Sequence, residues 1–211
     1  EHLEFMQTVQ AVARENGSVI ASLPADGVAV VPADDEFTSL WQDLAAPRRC
    51  VRFAMSGGTS QDELRCIEAH WKHGGWQVRA QGMGVHLHYR LSIAGRHNVK
   101  NSLAAAACAL AAGVSASAVE QGLQAFQPVK GRSRALEIAV QGRERTLVDD
   151  TYNANPDSVR AAIDVLADLP GPRILVLGDM GEVGHEGPAF HAEAGRYALA
   201  KGIDQLLAHG N

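Results

Sequence analysis

Ligand-binding side chains crowd one short stretch of this sequence, residues 147–158. The stretch carries carboxylates at Asp149 and Asp150, a phenol at Tyr152 and carboxamides at Asn153 and Asn155. Asn and Asp are also ordinary turn residues, so a solvated loop is the alternative to a site. The choice depends on where the stretch lies in the fold.

The same stretch has the pattern of a junction between a strand and a helix. An apolar run ends at its start, Asn155 is placed to cap a helix, and Pro156 suits the first helical position. Asp157 then faces the positive end of the helix dipole. Because ligands of parallel α/β sheets bind at the carboxyl ends of strands, this junction is the predicted site of chemistry.

Asp149 and Asp150 are neighbours, and consecutive side chains of a regular strand point to opposite faces. Only one of them is therefore expected to face a ligand. Asp150 is the better candidate, because it lies nearer the strand end and an ionised carboxylate accepts hydrogen bonds from the hydroxyl pair of a ribose. Tyr152 could stack beside a base.

A second polar loop, residues 178–182, follows the next predicted strand. Neighbouring parallel strands would bring both loops to one edge of the sheet, with Asp179 and Glu182 beside the first loop. Two carboxylates suit an ammonium group, an amino-acid substrate or a metal, and a glycine-rich turn with solvated acids is the alternative. The glycine spacing does not match a dinucleotide-binding fingerprint.

Two upstream segments carry side chains suited to a nucleotide. Arg132 lies among Pro, Lys and Gly residues and can give a phosphate two parallel hydrogen bonds. His97 and Asn98 follow Arg96 at a predicted helix start, whose free amide groups attract anions and polar ligands. The alternatives are a solvated linker arginine and an asparagine that only caps its helix.

Metal and triphosphate sites have weaker support. The pairs His70 with His73 and His86 with His88 could hold a metal, but neither pair has a carboxylate or cysteine at a supporting spacing. None of the four lysines follows a glycine. The sequence therefore lacks the Gly-Lys-Ser/Thr loop that cradles a triphosphate.

Composition excludes some classes of function. The 211 residues carry a formal net charge of -5 without a basic block, which argues against a nucleic-acid partner. The longest apolar stretch, residues 103–114, is too short to span a bilayer, so no membrane insertion is expected. Three cysteines without metal or redox spacing suit a reducing cytoplasm. The chain begins without methionine inside an amphipathic pattern and ends just after a predicted strand, so we expect a piece of a longer protein.

Hydrophobic spacing predicts alternating helices and strands without an internal repeat. Helices are predicted at residues 3–17, 35–44, 61–73, 95–113, 117–127, 156–169 and 188–201. Strands are predicted at residues 28–31, 51–55, 85–93, 136–140, 146–149, 173–177 and near 205. Gln141 and Gly142 would form a hairpin turn. From residue 146 onwards the strand-helix-strand order predicts a parallel sheet.

Four motifs in chain order resemble the Mur ligases. They are Gly-Arg-His-Asn-Val with a further Asn at 95–101, Val-Lys-Gly-Arg at 129–132, Asp-Asp-Thr-Tyr-Asn-Ala-Asn-Pro-Asp-Ser at 149–158 and Leu-Gly-Asp-Met-Gly-Glu at 177–182. The resemblance covers nearly the whole chain. It is strongest to the members that add D-alanyl-D-alanine to UDP-N-acetylmuramoyl-tripeptide in bacterial peptidoglycan synthesis.

The resemblance implies an α/β chain in two parts. Residues 1–130 would be the C-terminal part of a central P-loop-type ATPase domain with a mixed sheet, and residues 131–211 the first part of a Rossmann-like parallel ligase domain. The Pro, Lys, Gly and Arg composition of residues 127–133 also favours a boundary there. Because the phosphate loop would lie outside this sequence, the polypeptide alone is expected to be inactive.

The implied reaction is an ATP-driven amide ligation through an acyl phosphate. By resemblance, Asn98 and His97 would contact adenine and Asp150 the ribose. Arg132 would bind the phosphates and stabilise charge that develops during catalysis. Four residues would face the substrate cleft: Asn153, Asn155, Asp179 and Glu182.

The resemblance also implies Mg²⁺ beside ATP. His2 is similar to a metal-facing histidine of the family and would be catalytic. The family commonly has a lysine, often carbamylated, at the position of Asn16, and asparagine cannot carry a carbamate. A second Mg²⁺ is therefore not expected with the usual ligand. A cytoplasmic monomer is the expected state.

Two other interpretations stay open. One is a folylpolyglutamate synthetase or another Mur ligase, with the same nucleotide contacts and a different acceptor. The other is a non-catalytic nucleotide-binding module that never had a phosphate loop. The Asn-Ala-Asn-Pro-Asp-Ser run favours the D-alanyl-D-alanine enzyme, and the position of both chain ends inside or beside predicted elements favours a truncated enzyme over the module.

Overall fold

The computed structural model describes residues 8–57, 60–180, 183 and 187–210 as a mixed α/β structure. Two predicted site residues, His2 and Glu182, lie outside the described residues. The chain divides into two compact units, one formed by Glu1–Ala69, Gln77–Arg90 and Val99–Ala125 and the other by His70–Trp76, Leu91–Asn98 and Phe126–Asn211. A domain boundary between residues 130 and 131 stays a prediction. Within the described ranges, no helix is long and apolar enough to cross a membrane.

A five-stranded sheet in the order β1-β2-β3-β4-β5 dominates the first half of the chain. Its strands are β1 (Val28–Pro32), β2 (Arg49–Ala54), β3 (Glu63–Lys72), β4 (Gly75–Gly82) and β5 (Val85–Leu91). The first three pair in parallel, with Val30 opposite Val51 and Arg52 opposite Glu63. β4 and β5 return through two-residue turns, which join antiparallel strands. The sheet is therefore mixed, as the family resemblance implies.

The helix predicted at residues 61–73 is wrong, because this segment forms strand β3 and is followed by β4, which was not predicted. Both hairpin turns, His73-Gly74 and Met83-Gly84, have positive φ at each position, the conformation that two-residue hairpins require. Alternate residues of β4 are buried: Trp76, Val78 and Ala80. The two glycine-containing turns on either side of this alternating run were the sequence signal for β4. In β3, pairing with β2 outweighs the helical propensity of the segment.

Helix α1 (Val9–Ala21) continues through Gly17, so the prediction that Gly17 ends this helix is wrong. A Cβ atom at Gly17 would lie 2.6 Å from Leu44 Cδ1 and 3.1 Å from Trp41 Cδ1. Both of these side chains belong to α2 (Thr38–Ala45), and Trp41 Nε1 donates a hydrogen bond to Ala13 O at 2.9 Å across the same contact. The glycine permits a close helix–helix approach.

The alternation predicted around residues 85–93 is confirmed in β5. Leu87, Tyr89 and Leu91 are buried, whereas His86 and His88 lie on the exposed face. Two helices follow, α3 (Arg96–Ala111) and α4 (Ala116–Ala125). The apolar face of β5 therefore belongs to the core.

The second half of the chain carries two small sheets. β6 (Arg134–Val140) and β7 (Arg143–Asp149) form the predicted hairpin, and both turn residues, Gln141 and Gly142, have positive φ. α5 (Pro156–Ala167), β8 (Ile174–Leu177), α6 (Gly187–Ala200) and β9 (Gln205–Ala208) complete the order. β8 and β9 pair in parallel as predicted, but within the described residues β7 pairs with β6 and not with β8. The predicted parallel sheet is thus only partly formed.

A compact apolar core holds α5, α6 and the adjoining loops together. It contains Val159, Ile163, Met180, Ala194, Ala198 and Ile203. Tyr197 Oη also donates a hydrogen bond to Asp164 Oδ1 at 2.8 Å, and the Lys201 ammonium lies 2.6 Å from the same oxygen. This packing fixes the helix that begins at the polar junction.

We predict that Gly82→Ala destabilises the fold by about 3 kcal/mol or more, because a Cβ atom there collides with the Glu63 carbonyl and the backbone has φ of 145°. Gly122→Ala is the matched control, since nothing lies within 4 Å of its added carbon in α4. Alanine there should stabilise by up to about 1 kcal/mol. Urea unfolding followed by circular dichroism measures both, and equal effects would contradict the prediction.

Candidate functional site

The turn that carries Arg132 is fixed to the loop after β7 by backbone hydrogen bonds. Gly131 N donates to Asp149 Oδ2 at 3.2 Å, and Ser133 N donates to Asp150 Oδ1 at 2.8 Å. Tyr152 N donates to Gly131 O at 3.1 Å. A Cβ atom at Gly131 would lie 2.8 Å from Tyr152 N, so this approach requires glycine. We call this arrangement, residues 131–133 bonded to Asp149 and Asp150, the aspartate clamp.

The side chain of Arg132 lies over an aromatic ring. Its guanidinium carbon is 4.0 Å from the centroid of the Tyr152 ring, and both side chains are exposed. Arg132 forms no salt bridge with any residue in the described part of the chain. The planar edge of the guanidinium can therefore donate to an incoming anion. Stacking of Tyr152 beside a base stays a prediction.

Hydrogen bonds also connect the clamp to the start of α3. Ala94 N donates to Ser133 O at 3.0 Å, and the Asn98 Nδ2 amide donates to Ala94 O at 2.7 Å. Asn98 Nδ2 is also 3.1 Å from the Nε2 atom of His97. The structure thus brings together the residues predicted for adenine and for ribose through one continuous run of contacts, with Arg132 beside it.

Asp149 is held in its charged form by local donors. Thr151 Oγ1 donates to Asp149 Oδ1 at 2.7 Å, and the Thr151 amide donates to the same oxygen at 3.3 Å. The hydroxyl bond contributes most to lowering the pKa of Asp149, with the Thr151 and Gly131 amides and the charge of Lys130 adding to it, against a rise from burial. The clamp therefore contains an ionised carboxylate over most of the pH range.

A cavity of about 680 Å³ lies beside the clamp. Its lining combines parts of β7, α5 and β8 with the loops at 149–154 and 178–179. The two predicted polar loops therefore meet, with Asp150, Asn153 and Asp179 at one cavity. Asp149 lines it as well, so the expectation that only one of the two aspartates faces the site is wrong. The reason is that β7 ends at Asp149, and strand alternation does not continue to Asp150.

The two asparagines of the junction have local structural roles. Asn155 Oδ1 accepts from Ser158 N at 2.9 Å while Ser158 Oγ accepts from Asn155 N at 2.9 Å, so the pair forms a capping box at the start of α5. Asn153 Oδ1 accepts from Ala154 N at 2.9 Å. The predicted capping function of Asn155 is confirmed, and contacts of either side chain with a substrate stay predictions.

His191 anchors the second polar loop and was not predicted. Its Nε2 atom accepts a hydrogen bond from Met180 N at 3.3 Å, and its Nδ1 atom lies 2.8 Å from Gly187 O. The first contact requires a bare Nε2, so the ring carries its proton on Nδ1 and donates to the carbonyl. No local sequence signal could find this residue, because its role depends on the packing of α6 against the loop.

A charged contact next to the predicted adenine residues was also missed. The Lys100 ammonium lies 2.6 Å from Asp34 Oδ1, and Met55 N donates to Asp34 Oδ2 at 3.4 Å. Burial alone would raise the pKa of Asp34, but the hydrogen bond and charge of Lys100 outweigh it and lower the pKa. Lys100 is two residues after Asn98 on α3, so this ion pair ties the second turn of α3 to the loop after β1.

The structure offers no metal centre among the residues it describes. No group of three or more His, Cys, Asp or Glu side chains is placed to hold an ion in that part of the chain. His70 lies on β3 and His73 in the turn after it, not on the helix for which the pair was predicted. All three cysteines are free thiols.

Comparison with known protein families shows which family this chain belongs to. The family model described as the Mur ligase middle domain matches residues 1–109, and the model described as the Mur ligase, glutamate ligase domain matches residues 131–211. The chain belongs to the Mur ligase family. Its α/β fold and its motifs agree with the resemblance inferred from the sequence.

Relatives of this Mur ligase chain include two curated bacterial proteins named UDP-N-acetylmuramoyl-tripeptide--D-alanyl-D-alanine ligase. The chain is 35% identical to the protein of Escherichia coli K12, over 99% of its own length and 45% of the relative's. It is 33% identical to that of Haemophilus influenzae, over 100% of its own length and 44% of the relative's. It therefore spans somewhat under half the length of these relatives.

A solved structure gives the same relationship. The crystal structure of MurF from Acinetobacter baumannii superposes on the whole of this Mur ligase chain with a TM-score of 0.79 and 31% sequence identity, and the match covers 44% of that structure's chain.

We predict that the Asp149 hydrogen bonds of this Mur ligase chain survive mild acid. A carboxyl whose pKa is lowered in the folded state contributes stability above its unfolded value of about 3.9 and loses it as the pH falls through the lower folded value. In an NMR pH titration, the amide signals of Gly131 and Thr151 should move together, with a midpoint below about 3.9. Asp149→Asn should abolish that inflection. A midpoint above the ordinary carboxyl value would contradict the assignment.

We also predict that Asn155→Ala lowers the free energy of unfolding by about 1 kcal/mol, because the first turn of α5 loses its cap. Asn155→Ser should retain most of the stability. The control is Asn153→Ala, which removes only a bond to the adjacent amide and should change stability by less than about 0.5 kcal/mol. Urea unfolding measures all three, and equal losses at 153 and 155 would count against the capping role.

Proposed function

We propose that this Mur ligase chain is part of an ATP-dependent enzyme that adds D-alanyl-D-alanine to UDP-N-acetylmuramoyl-tripeptide. The observation that carries the proposal is the hydrogen-bonded run from Asn98 through Ala94 and Ser133 to Asp150, with Arg132 beside it. The names of the Escherichia coli and Haemophilus influenzae relatives support the choice of substrates. The long junction motif at 149–158 supports it independently.

The nucleotide is bound along that run. Asn98 and His97 contact the adenine at the start of α3. Asp150 uses Oδ1 for the Ser133 amide, and its Oδ2 atom has no hydrogen bond with the described residues, so Oδ2 can accept from a ribose hydroxyl. Arg132 offers the edge of its guanidinium to the phosphates, where two parallel charge-assisted bonds can form.

The acceptor side of the reaction occupies the cavity beside the clamp. The γ-phosphoryl group passes to the peptide carboxylate, which gives an acyl phosphate and ADP. The ammonium group of D-alanyl-D-alanine first loses a proton to solvent, and the free amine then attacks the acyl carbon. Inorganic phosphate leaves as the nitrogen gives up its second proton, which completes the amide. Asp179 attracts the ammonium form of the dipeptide, and Asn153 hydrogen-bonds to peptide groups, since both residues line the cavity. Asn155 does not line the cavity and stays a candidate for substrate contact from its sequence motif alone. Arg132 stabilises the charge on the phosphoryl oxygens.

Mg²⁺ accompanies ATP in this proposal, but no described residues form a metal-binding group for it. His2 and Glu182 remain the candidates from sequence, and both lie outside the described residues. Asn16 cannot supply a carbamate. We therefore assign no catalytic step to metal ligands in this chain.

Phosphate release from ATP distinguishes the proposed enzyme from a ligase with another acceptor and from a non-catalytic module. The full-length protein that carries this chain should release phosphate from ATP only when the UDP-linked tripeptide and D-alanyl-D-alanine are both present. A folylpolyglutamate synthetase would respond to folate and glutamate, and a binding module would release none with any acceptor. The 211-residue chain assayed by itself should also release none, because its sequence contains no Gly-Lys-Ser/Thr loop.

We predict that Arg132→Lys in the full-length protein lowers kcat by about 10²- to 10³-fold, because lysine cannot give two parallel bonds to the transferred phosphoryl group. The control is Arg143→Lys, an exposed residue next to the β6–β7 turn, which should leave kcat unchanged. Steady-state phosphate release measures both. Full activity of the Arg132 variant would remove Arg132 from the phosphate site.

A further inference from the structure

Tyr152 was expected from sequence to stack beside the nucleotide base, but its ring already has a partner. The Arg132 guanidinium carbon lies over the ring, 4.0 Å from its centroid, which is within the range of a cation–π contact. The Tyr152 side chain is 65% exposed, so the contact is not forced by burial. We propose that Tyr152 is a positioning residue that orients Arg132 toward the nucleotide phosphates and does not bind the base. This proposal rests on the proposed function of Arg132.

Hydrogen bonds hold the backbone at Arg132 in place, so its side chain starts from a fixed position. The residue before it donates its amide to Asp149, and the residue after it donates its amide to Asp150. Arg132 N itself donates to Val129 O at 3.0 Å. The aspartate clamp therefore fixes the Cα position of Arg132, and only the long side chain remains to be ordered.

Tyr152 is tied to the same turn at two points. Its amide donates to Gly131 O, and Gly131 packs so closely on the Tyr152 backbone that any side chain there would clash. The ring and the guanidinium thus start from backbone positions that are fixed relative to each other. This makes the stack a built contact of one loop with one turn and not a chance meeting of two surface side chains.

The chemistry of the partner matters for phosphate binding. A carboxylate partner would satisfy the edge donors of the guanidinium and compete with a phosphate. An aromatic ring contacts only its face, so the edge donors stay available in the plane. The two carboxylates of the aspartate clamp, Asp149 and Asp150, accept hydrogen bonds from backbone amides and form no salt bridge with Arg132 in the described structure.

The test compares ADP with adenosine, because only ADP carries phosphates for Arg132. Calorimetric titrations use the full-length protein without added metal, as wild type, Tyr152→Leu, Tyr152→Phe, Arg132→Ala and the Arg132→Ala/Tyr152→Leu double variant. We expect Tyr152→Leu to weaken ADP binding by about threefold to fivefold and to leave adenosine affinity unchanged. Tyr152→Phe should bind ADP like wild type, because the ring face and not the hydroxyl carries the contact.

The double variant separates positioning from direct binding. If Tyr152 acts through Arg132, adding Tyr152→Leu to Arg132→Ala should cause no further loss of ADP affinity. In the NMR spectrum of the nucleotide-free protein, the Arg132 side-chain protons should lie upfield in wild type and Tyr152→Phe and move downfield in Tyr152→Leu. That readout reports the stack without any ligand.

Three results would overturn the inference while wild type still binds ADP. The first is an equal loss of affinity for adenosine and ADP in Tyr152→Leu, which would mean that the ring stacks on the base. The second is no loss of affinity for either ligand in Tyr152→Leu. The third is a further loss of ADP affinity in the double variant. If wild type itself fails to bind ADP, the proposed function fails first, and the positioning role fails with it. The two failures are therefore distinguishable.

Discussion

Two hydrogen bonds to aspartate side chains hold the candidate site in one arrangement. Gly131 donates to Asp149 and Ser133 to Asp150, on either side of Arg132. Bonds to a charged acceptor are roughly twice as strong as neutral ones, and ordering each residue costs about 1–2 kcal/mol of backbone entropy. Because the turn has positive φ at Gly131 and Ser133, it would not hold this shape unaided. The aspartate clamp is thus the constraint on which the positions of Arg132, Tyr152 and Ala94 depend.

The clamp changes how the polar junction should be understood. Ligand binding and turn formation were alternatives for these residues in the sequence. The structure gives Asp150 and Asn155 definite structural partners, and Asp150 Oδ2 has no hydrogen bond with the described residues. Both oxygens of Asp149 and one oxygen of Asp150 serve the fold, and the second oxygen of Asp150 stays available. A carboxylate has enough acceptor positions for both tasks. The loop is therefore rich in acids and amides because these side chains hold its backbone as well as offering atoms to a ligand.

Local chemistry predicted the parts of this fold that depend on neighbours in sequence. The Asn155 cap with Pro156, the alternation of β5 and the Gln141-Gly142 turn were all confirmed, because each is decided within a few residues. The helix predicted at 61–73 was wrong, because the segment pairs with β2, which lies outside the short window of sequence in which helical spacing is judged. The clamp could not be predicted at all. It joins residues that are 17 or 18 positions apart, and nothing in either segment alone specifies the other.

The pairing of an arginine with an aromatic ring is informative because carboxylates were available nearby. Had Arg132 paired with Asp149, the charge would be neutralised and a phosphate would have to displace a salt bridge before binding. Thr151 prevents this by donating both its amide and its hydroxyl to Asp149 Oδ1, while the Gly131 amide takes the other oxygen. Asp149 is thereby committed to the loop and the turn, and Arg132 contacts the Tyr152 ring, which does not occupy the N–H donors of the guanidinium. An anion-binding arginine can in this way sit beside two carboxylates without being neutralised by either.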